Sequence, residues 1–217
     1  NSPVKEIADI VLEMPWALDE SVYQTRSVSN LYAAGAVIAA GISGCDEAIA
    51  EFSSTVDSLE DSILSIEPSF LQLCKERFEN VVILADAEAA GLGEEGAFEF
   101  NEISRTVSNC YDLYDLRQGS LSMINKATLV IVSLENGEEQ GRKLIADIVR
   151  KKAIIITCTD EPMQLDKVYL NISFGKLDII GRGLALLIVC QFAAYYKALV
   201  KGISPVNPPR IDAWMKL

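Results

Sequence analysis

The fold is decided by residues 128–159, TLVIVSLENGEEQGRKLIADIVRKKAIIITCT. Two short β-branched runs, 128–134 and 154–159, are apolar on both faces, which is typical of strands that helices cover on both sides. Between them, residues 138–151 carry apolar side chains at helical spacing. A strand, a helix and a second strand in this order form a βαβ unit with parallel strands. The stretch therefore predicts a parallel sheet between two layers of helices.

The same alternation extends outward in both directions. Further strands are predicted at residues 81–84 and 168–172, and further helices at 92–106 and 177–200. Together these elements predict an α/β fold with three layers, a five-stranded parallel sheet with helices on both faces, preceded by a helical region. The proline-rich tail, which begins at Ser204, is predicted to run extended over the surface because proline disfavours helix and inner strand.

The first 79 residues do not form an α/β domain by themselves. Residues 8–12 are predicted as a strand, and an unpaired apolar strand needs a partner. We expect that partner to come from another chain or from residues upstream of Asn1. Helices are predicted at residues 25–40, 46–64 and 69–77.

Composition excludes several kinds of chemistry. The 217 residues carry a formal charge of −12 and include no histidine. A histidine general acid, a Ser-His or Cys-His nucleophile pair and a histidine metal ligand are therefore impossible within this chain. No metal or cofactor is predicted. Because no basic stripe is present, nucleic-acid binding is not expected.

Cysteine usage and apolar run length indicate the compartment. The five cysteines are scattered and never spaced as CxxC, as expected of buried small hydrophobes in a reducing compartment. The longest apolar stretches, 31–42 and 183–194, fall short of the about 20 residues that a membrane span needs. The chain opens NSPVKE, without the basic start of a secretory signal. A cytoplasmic protein without a membrane partner is predicted.

A GxGxxG pattern, GLGEEG at residues 91–96, follows a predicted strand and enters a helix. A dinucleotide site would have its first glycine directly after the strand, but six residues, 85–90, intervene here. Glu94 and Glu95 would also repel a pyrophosphate. The pattern is interpreted as glycines that permit a turn and close helix packing.

Three carboxylates, Glu95, Glu99 and Glu102, share one face of the helix predicted at 92–106. One interpretation is a solvated acidic face. The other is a carboxylate that acts as a general base. Glu102 lies farthest from the helix start, so we expect it to be the buried one, with a pKa raised by burial. Glu95 and Glu99 lie nearer the start, where the helix dipole already favours carboxylates.

Four ordered segments resemble the sugar isomerase (SIS) domain family over nearly the whole chain. They are EEGAFEFNEIS at 94–104, DLRQGSLSMI at 115–124, ESVYQTRS at 20–27 and NPPR at 207–210. At the first two of these segments, the family's sequences read LEGALKLKEIS and ELKHGPLALI. The third resembles the segment that ends a first SIS domain and opens a linking helix, and the fourth resembles the C-terminal tail.

The resemblance implies a domain organisation and a function. Residues 1–44 would be the end of a first SIS domain and a linking helix, 45–79 a helical linker, and 80–217 a second SIS domain with an extended tail. The family's phosphate-binding loops would lie before Asn1. The function implied is that of a phosphosugar isomerase, aminotransferase or deglycase, with a sugar-phosphate ligand, no cofactor and a homodimer or higher homo-oligomer.

Site residues follow position by position from the resemblance. Glu102 occupies the place of the catalytic base that moves a proton between C1 and C2 of the open-chain sugar. Gln118 stands where the family has the histidine that opens the sugar ring, and Glu99 stands where it has a lysine. The substrate-binding positions correspond to Val22, Thr25, Arg117, Ala213 and Trp214, with Lys216 as a substitute for the catalytic lysine that Trp214 replaces. Because three catalytic positions depart from the family pattern, a sugar-phosphate sensor or an assembly subunit is the alternative.

Overall fold

A parallel sheet of five strands forms the centre of the molecule, in the order β2-β1-β3-β4-β5. The computed structural model describes residues 3–135, 139–160, 167–175 and 179–206. The strands are β1 (Asn80–Ala85), β2 (Val107–Asp112), β3 (Thr128–Leu134), β4 (Ile154–Thr159) and β5 (Leu170–Ser173). All four pairings are parallel. The predicted α/β fold is confirmed.

Helices cover both faces of the sheet. They are α1 (Arg26–Ser43), α2 (Asp46–Cys74), α3 (Ala87–Glu102), α4 (Glu139–Arg150) and α5 (Ile179–Val200). One hydrophobic core joins α2, α3 and α5 to the odd-numbered side chains of β1, such as Ile83. A second core joins α4 and the crossover after β2 to the even-numbered ones, such as Leu84. The two cores therefore lie on opposite faces.

Strand β2 was not predicted from the sequence, whereas the other four strands of the sheet were. Its residues, VSNCYD, alternate between exposed and covered positions and include polar side chains. This pattern suits a strand at the edge of a sheet, where one side lacks a neighbour. The search for apolar β-branched runs finds inner strands such as β3, which is buried at every position, and misses an edge strand.

Helix α2 is one helix of 29 residues, with Pro68 inside it, where two helices were predicted. Proline removes one backbone hydrogen bond and disfavours a helix interior. Buried side chains on both sides of Pro68, including Leu59 and Phe70, anchor α2 in the core that also contains α5. This packing keeps both segments on one axis, so the proline does not end the helix.

The strand predicted at residues 8–12 is wrong. Residues 3–25 form two short 3₁₀ turns, Pro3–Glu6 and Pro15–Ala17, joined by irregular chain. Ile7 and Ile10 are 84% and 91% exposed. A strand requires hydrogen-bonding neighbours, and none of the described segments pairs with this one.

The three glycines of the GxGxxG pattern lie inside α3, and two of them, Gly93 and Gly96, serve packing. A Cβ atom added to Gly93 would lie 2.8 Å from Sγ of Cys110, and one added to Gly96 would lie 2.7 Å from Sγ of Cys190. Glycine lets α3 approach the sheet and α5 closely at these two points. The interpretation of close helix packing is correct for Gly93 and Gly96, whereas the turn that the pattern was expected to permit is wrong, because α3 begins at Ala87, before Gly91.

Helix α5 runs through the interior. Residues Ile180–Val200 are long and apolar enough to cross a membrane by length and composition, and 61% of the segment is buried within the protein. Its buried side chains include Leu186, Val189 and Ala194, which belong to the core shared with α3. In this structure α5 is a core helix.

The five cysteines are all free thiols. Cys74, Cys158 and Cys190 are buried, and burial raises the pKa of Cys74 and of Cys158 to about 12. Cys110 is half-buried, whereas Cys45, at the start of α2, is exposed. The expectation of buried cysteines is therefore correct for three of the five and wrong for Cys45.

Candidate functional site

A pocket of about 430 Å³ opens where the N-terminal segment, α2, the end of α3 and α5 meet. Tyr23 and Thr25 line it from the N-terminal segment, and Ile103 lines it from the turn after α3. Gln191 and Tyr195 contribute from α5. The pocket therefore joins residues that are far apart in the sequence.

Gln191 connects the two sides of this pocket. Its Nε2 donates a hydrogen bond to Oε1 of Glu99 over 2.8 Å and another to the carbonyl oxygen of Thr25 over 3.4 Å. The amide thus links α5 to α3 and to the start of α1. Sequence reasoning did not single out Gln191. The available signal was a lone amide at the end of the apolar run LALLIVC.

Glu99 is the buried carboxyl of the acidic face, with 4% of its surface exposed. Burial raises its pKa to about 7, against the lowering effect of the Gln191 hydrogen bond. The neighbouring charges of Glu95, Glu102 and Asp19 raise it further. Its second oxygen, Oε2, is buried and has no hydrogen-bond partner among the described residues.

Tyr23 is the second buried polar side chain at the pocket, also 4% exposed. Its hydroxyl is buried and has no hydrogen-bond partner in the described part of the chain. Burial raises its pKa, the charge of Arg105 lowers it, and the charge of Glu102 raises it. The Tyr23 hydroxyl therefore lies within the electrostatic reach of both side chains. Sequence reasoning also missed Tyr23, although it lies within the segment ESVYQTRS at 20–27, because only Val22 and Thr25 of that segment correspond to substrate-binding positions of the resemblance.

Glu102 is the last residue of α3, and its side chain is exposed. The expected burial of Glu102 is wrong. Distance from the helix start does not decide burial here, because α5 covers the position of Glu99 through Gln191. Glu102 still lies beside the pocket, since Ile103, the next residue, lines it.

Gln118 and Arg117 lie in the crossover between β2 and β3, on the other face of the sheet from α3. Leu116, their neighbour, is buried in the core around α4. Nε2 of Gln118 donates to Oδ1 of Asp115 over 3.0 Å. Arg117 donates to Oδ2 of Asp147 on α4, over 3.1 Å from Nε and 2.9 Å from Nη2. Within one chain these residues therefore lie on the opposite face of the sheet from Glu102.

The remaining predicted positions divide between the N-terminal segment and the tail. Thr25 lines the pocket, and Val22, next to Tyr23, is 43% exposed. Ala213, Trp214, Lys216 and the NPPR segment lie outside the described residues. The described chain reaches the pocket wall at Pro205 and Val206.

The acidic groups around Glu99 do not form a metal site. Among the described residues, no three or more cysteine and acidic side chains are placed to hold a metal ion. Asp19 instead accepts hydrogen bonds from the backbone N–H groups of Arg26 and Ser27, over 3.2 and 2.8 Å, at the start of α1. Burial acts to raise its pKa, but the bonds from Ser27 and Arg26 outweigh this effect and the pKa is lowered.

Comparison with known sequences gives two relatives. No protein-family model matches the chain. It is 24% identical over 153 residues to the isomerising glutamine–fructose-6-phosphate aminotransferase of Buchnera aphidicola subsp. Baizongia pistaciae, covering 69% of this chain and 25% of that protein. The enzyme of the same name from subsp. Acyrthosiphon pisum is 27% identical over 137 residues, covering 61% and 22%. The chain spans about a quarter of the length of these curated relatives.

Solved structures share the fold over almost the whole chain. The C-terminal domain of glucosamine-fructose-6-phosphate aminotransferase from Francisella tularensis superimposes with a TM-score of 0.82 at 18% identity, covering 95% of this chain and 63% of that one. The chain has the SIS-domain fold. Glucosamine-6-phosphate deaminase from Thermotoga maritima gives 0.79 at 24% identity, covering 98% and 63%. Tagatose-6-phosphate ketose/aldose isomerase from Escherichia coli gives 0.64 at 18%, covering 74% and 46%. The resemblance to SIS domains is thus confirmed.

Proposed function

We propose that the chain is the pocket-bearing part of a phosphosugar-converting protein. The reaction is isomerisation, amination or deglycation of an aldose or ketose 6-phosphate or an amino-sugar phosphate. The observation that carries the proposal is the pocket itself, because Thr25 and Ile103 line it together. Thr25 is a substrate position of the resemblance, and Ile103 follows Glu102, the catalytic one. The similarity to aminotransferase and isomerase folds supports the same assignment.

The proposed chemistry uses Glu102 as the base. An exposed carboxylate at the edge of a pocket reaches a bound sugar without crossing the protein interior. It accepts a proton from one of C1 and C2 of the open-chain sugar and returns it to the other. Gln118 has no part in this transfer within the same chain, because it lies on the opposite face of the sheet. If Gln118 contacts the same sugar, it does so from a second chain.

The proposed function includes a division of the chain into domains and an assembly of several chains. Residues 1–44 complete a first SIS domain, 45–79 link it to residues 80–217, and the protein is a cytoplasmic homodimer or larger homo-oligomer. Exposed apolar side chains support an assembly, among them Ile10 at 91%, Leu18 at 74% and Ile42 at 84%. Burying large apolar side chains of this kind in an interface between chains is favourable.

A second candidate is a sugar-phosphate sensor or assembly subunit without turnover. The observation that favours it is Gln118, since an amide donates a hydrogen bond but does not transfer a proton. Arg117 is also engaged by Asp147. This candidate keeps ligand binding at the pocket and removes the reaction.

The substitution Glu102→Gln separates the two candidates. It preserves shape and removes the base, so turnover of hexose 6-phosphates by the full-length protein should fall by about 10²-fold or more, the loss typical of a missing general base. Ligand affinity and the thermal midpoint should stay unchanged. The matched control is Glu94→Gln, which changes an exposed carboxyl of the same helix. Equal rates for the two variants would contradict the role of Glu102, and binding without turnover in the unmodified protein would favour the sensor.

A further inference from the structure

The side-chain amide of Gln191 is held in one orientation by two acceptors. Its Nε2 lies 2.8 Å from Oε1 of Glu99 and 3.4 Å from the carbonyl oxygen of Thr25. A carboxylate and a backbone carbonyl only accept hydrogen bonds, so the part of the amide that faces them is the NH₂ group. Both hydrogens of this NH₂ group are then used inside the protein.

The other polar atom of the amide, Oε1 of Gln191, is left for a ligand. No described residue donates a hydrogen bond to it. Gln191 is half-buried and lines the pocket, and its Oε1 points away from the two acceptors that hold Nε2. An amide oxygen accepts up to two hydrogen bonds. The pocket wall therefore offers an acceptor at Gln191, and its matching partner is a donor on the ligand.

The Tyr23 hydroxyl offers a second contact in the same pocket. The side chain lines the pocket and is 4% exposed, and its hydroxyl has no partner among the described residues. Buried polar groups in native structures are almost always hydrogen-bonded, because an unpaired one loses its hydration without compensation. A phenol hydroxyl both donates and accepts. A ligand that carries several hydroxyl groups can satisfy both Tyr23 and Gln191.

An aromatic wall accompanies these polar atoms. Phe192 and Tyr195 line the pocket from α5, the helix that also carries Gln191. Phe192 stacks between Phe70 and Tyr196, with ring centroids 5.7 and 6.4 Å apart, which fixes its position. Aromatic rings bury large apolar area against the C–H surfaces of a ligand. The wall supplies contact area, and the amide of Gln191 supplies a directional hydrogen bond.

We propose that Gln191 is a specificity-determining residue whose Oε1 accepts a hydrogen bond from one ligand hydroxyl, and that Glu99 is the positioning residue that fixes the amide. Glu99 acts through Gln191 and does not touch the ligand. The inference rests on the proposed function in one respect, that the ligand is a sugar. Glu99 stands where the SIS sequences have a lysine. A lysine offers only donors, so it could not hold the amide in this orientation, and the hydroxyl selection is a property of this chain.

Substitutions at the two positions have different expected effects. Gln191→Met keeps the length of the side chain and removes the acceptor for the ligand. Glu99→Met removes the acceptor that holds Nε2, so the amide of Gln191 is no longer fixed and presents its oxygen and its NH₂ group in turn. Glu99→Gln keeps an acceptor oxygen at the same place without the charge, so it should preserve the orientation. A role of Glu99 through its charge would instead be lost in Glu99→Gln.

Eight probes test the inference in the full-length protein: glucose and its 2-, 3- and 4-deoxy forms, each with and without a 6-phosphate. Isothermal titration calorimetry at pH 8, above the pKa of about 7 of Glu99, gives each affinity. We expect one deoxy form to bind about tenfold more weakly than glucose, because it leaves Oε1 of Gln191 unpaired. This difference should disappear in Gln191→Met, fall severalfold in Glu99→Met and persist in Glu99→Gln. The matched control is Gln72→Met, at an exposed glutamine of α2, which should keep the full difference.

The deoxy comparison and the phosphate comparison separate the outcomes. If no deoxy form loses affinity, or if every loss persists in Gln191→Met, the inference is overturned whatever the phosphate does. Equal effects of Glu99→Gln and Glu99→Met overturn the positioning role of Glu99. A missing preference for the 6-phosphates counts against the proposed phosphosugar function and leaves the deoxy comparison to decide the inference. If none of the eight probes binds to the folded protein, both are overturned. Thermal midpoints show that each variant is folded.

Discussion

Glu99 and Glu102 lie about one turn apart on α3 and have different surroundings. The side chain of Glu99 packs toward α5, where Gln191 binds it, whereas Glu102 is exposed at the helix end. Sequence periodicity places both on one helix face but does not show which part of that face another helix covers. The two carboxyls of one helix face therefore separate into a buried group, Glu99, and an exposed group, Glu102.

The burial of Glu99 predicts a pH-dependent stability. Its pKa is about 7 in the folded protein and about 4.3 when unfolded. Between these values the folded state binds more protons than the unfolded state, so the contribution of Glu99 to stability is most favourable below about pH 4 and becomes less favourable as pH rises through 7. The loss from this one group amounts to about 4 kcal/mol by pH 8. Urea unfolding between pH 5 and 8 measures the part of this loss that falls within that range.

Glu99→Gln should remove this dependence. A neutral amide of the same shape carries no ionisation cost, so the variant should be more stable than the unmodified protein at pH 8 and similar to it at pH 5. Glu94→Gln, at an exposed position, should keep the original slope. Identical pH profiles for Glu99→Gln and the unmodified protein would show that the carboxyl is not buried in solution.

At the scale of elements, hydrophobic periodicity in the sequence predicted the strands and helices whose positions depend mainly on their own residues. β3, α4 and β4 lie within one or two residues of their predicted bounds, because buried strands and an amphipathic helix have strong sequence periods. Edge strand β2, the continuity of α2 through Pro68 and the absence of an N-terminal strand depend on neighbours distant in the sequence. The secondary-structure propensities of the residues contain no information about these distant neighbours.

The packing of α3 predicts opposite effects for two glycines. Gly96→Ala places a methyl group 2.7 Å from Sγ of Cys190, and overpacking of this kind costs about 1 to 3 kcal/mol. Gly91→Ala meets nothing within 4 Å on the same helix, so it should stabilise by about 0.5 to 1 kcal/mol. Chemical denaturation of both variants measures the difference. Equal stabilisation by the two alanines would contradict the close contact of α3 with α5.

At the scale of the whole molecule, the sequence predicted the fold more fully than the site. The resemblance placed Thr25 and Glu102 together, and the pocket brings Thr25 next to Ile103. It did not show that Gln118 and Arg117 lie on the opposite face, because which face a crossover covers depends on strand order. Gln191 had no motif around it, and Tyr23 lies within the segment ESVYQTRS but at none of its substrate-binding positions. Their role follows only from the way α5 and the N-terminal segment pack.

The exposed apolar surface of the N-terminal segment and α1 predicts assembly. Ile7, Ile10 and Ile42 each expose more than four-fifths of their surface, and burying them between two chains is favourable at about 25 cal/mol per Å². Light scattering at micromolar concentration should show a mass of at least about twice 23.7 kDa. Replacement of Ile7 and Ile10 by serine should shift the population toward monomer. A monodisperse 23.7 kDa species in the unmodified protein would contradict the prediction.

The proton transfer assigned to Glu102 is tested most directly by hydrogen exchange with solvent. When the full-length protein is incubated with a hexose 6-phosphate in D₂O, a base that shuttles a proton between C1 and C2 introduces deuterium at those carbons, which NMR detects even without net conversion. The unmodified protein should incorporate deuterium into at least one of the aldose or ketose 6-phosphates or their amino derivatives, and Glu102→Gln should do so about 10²-fold more slowly. Incorporation at the same rate in Glu102→Gln, or none in the unmodified protein with a sugar phosphate bound, would contradict the account.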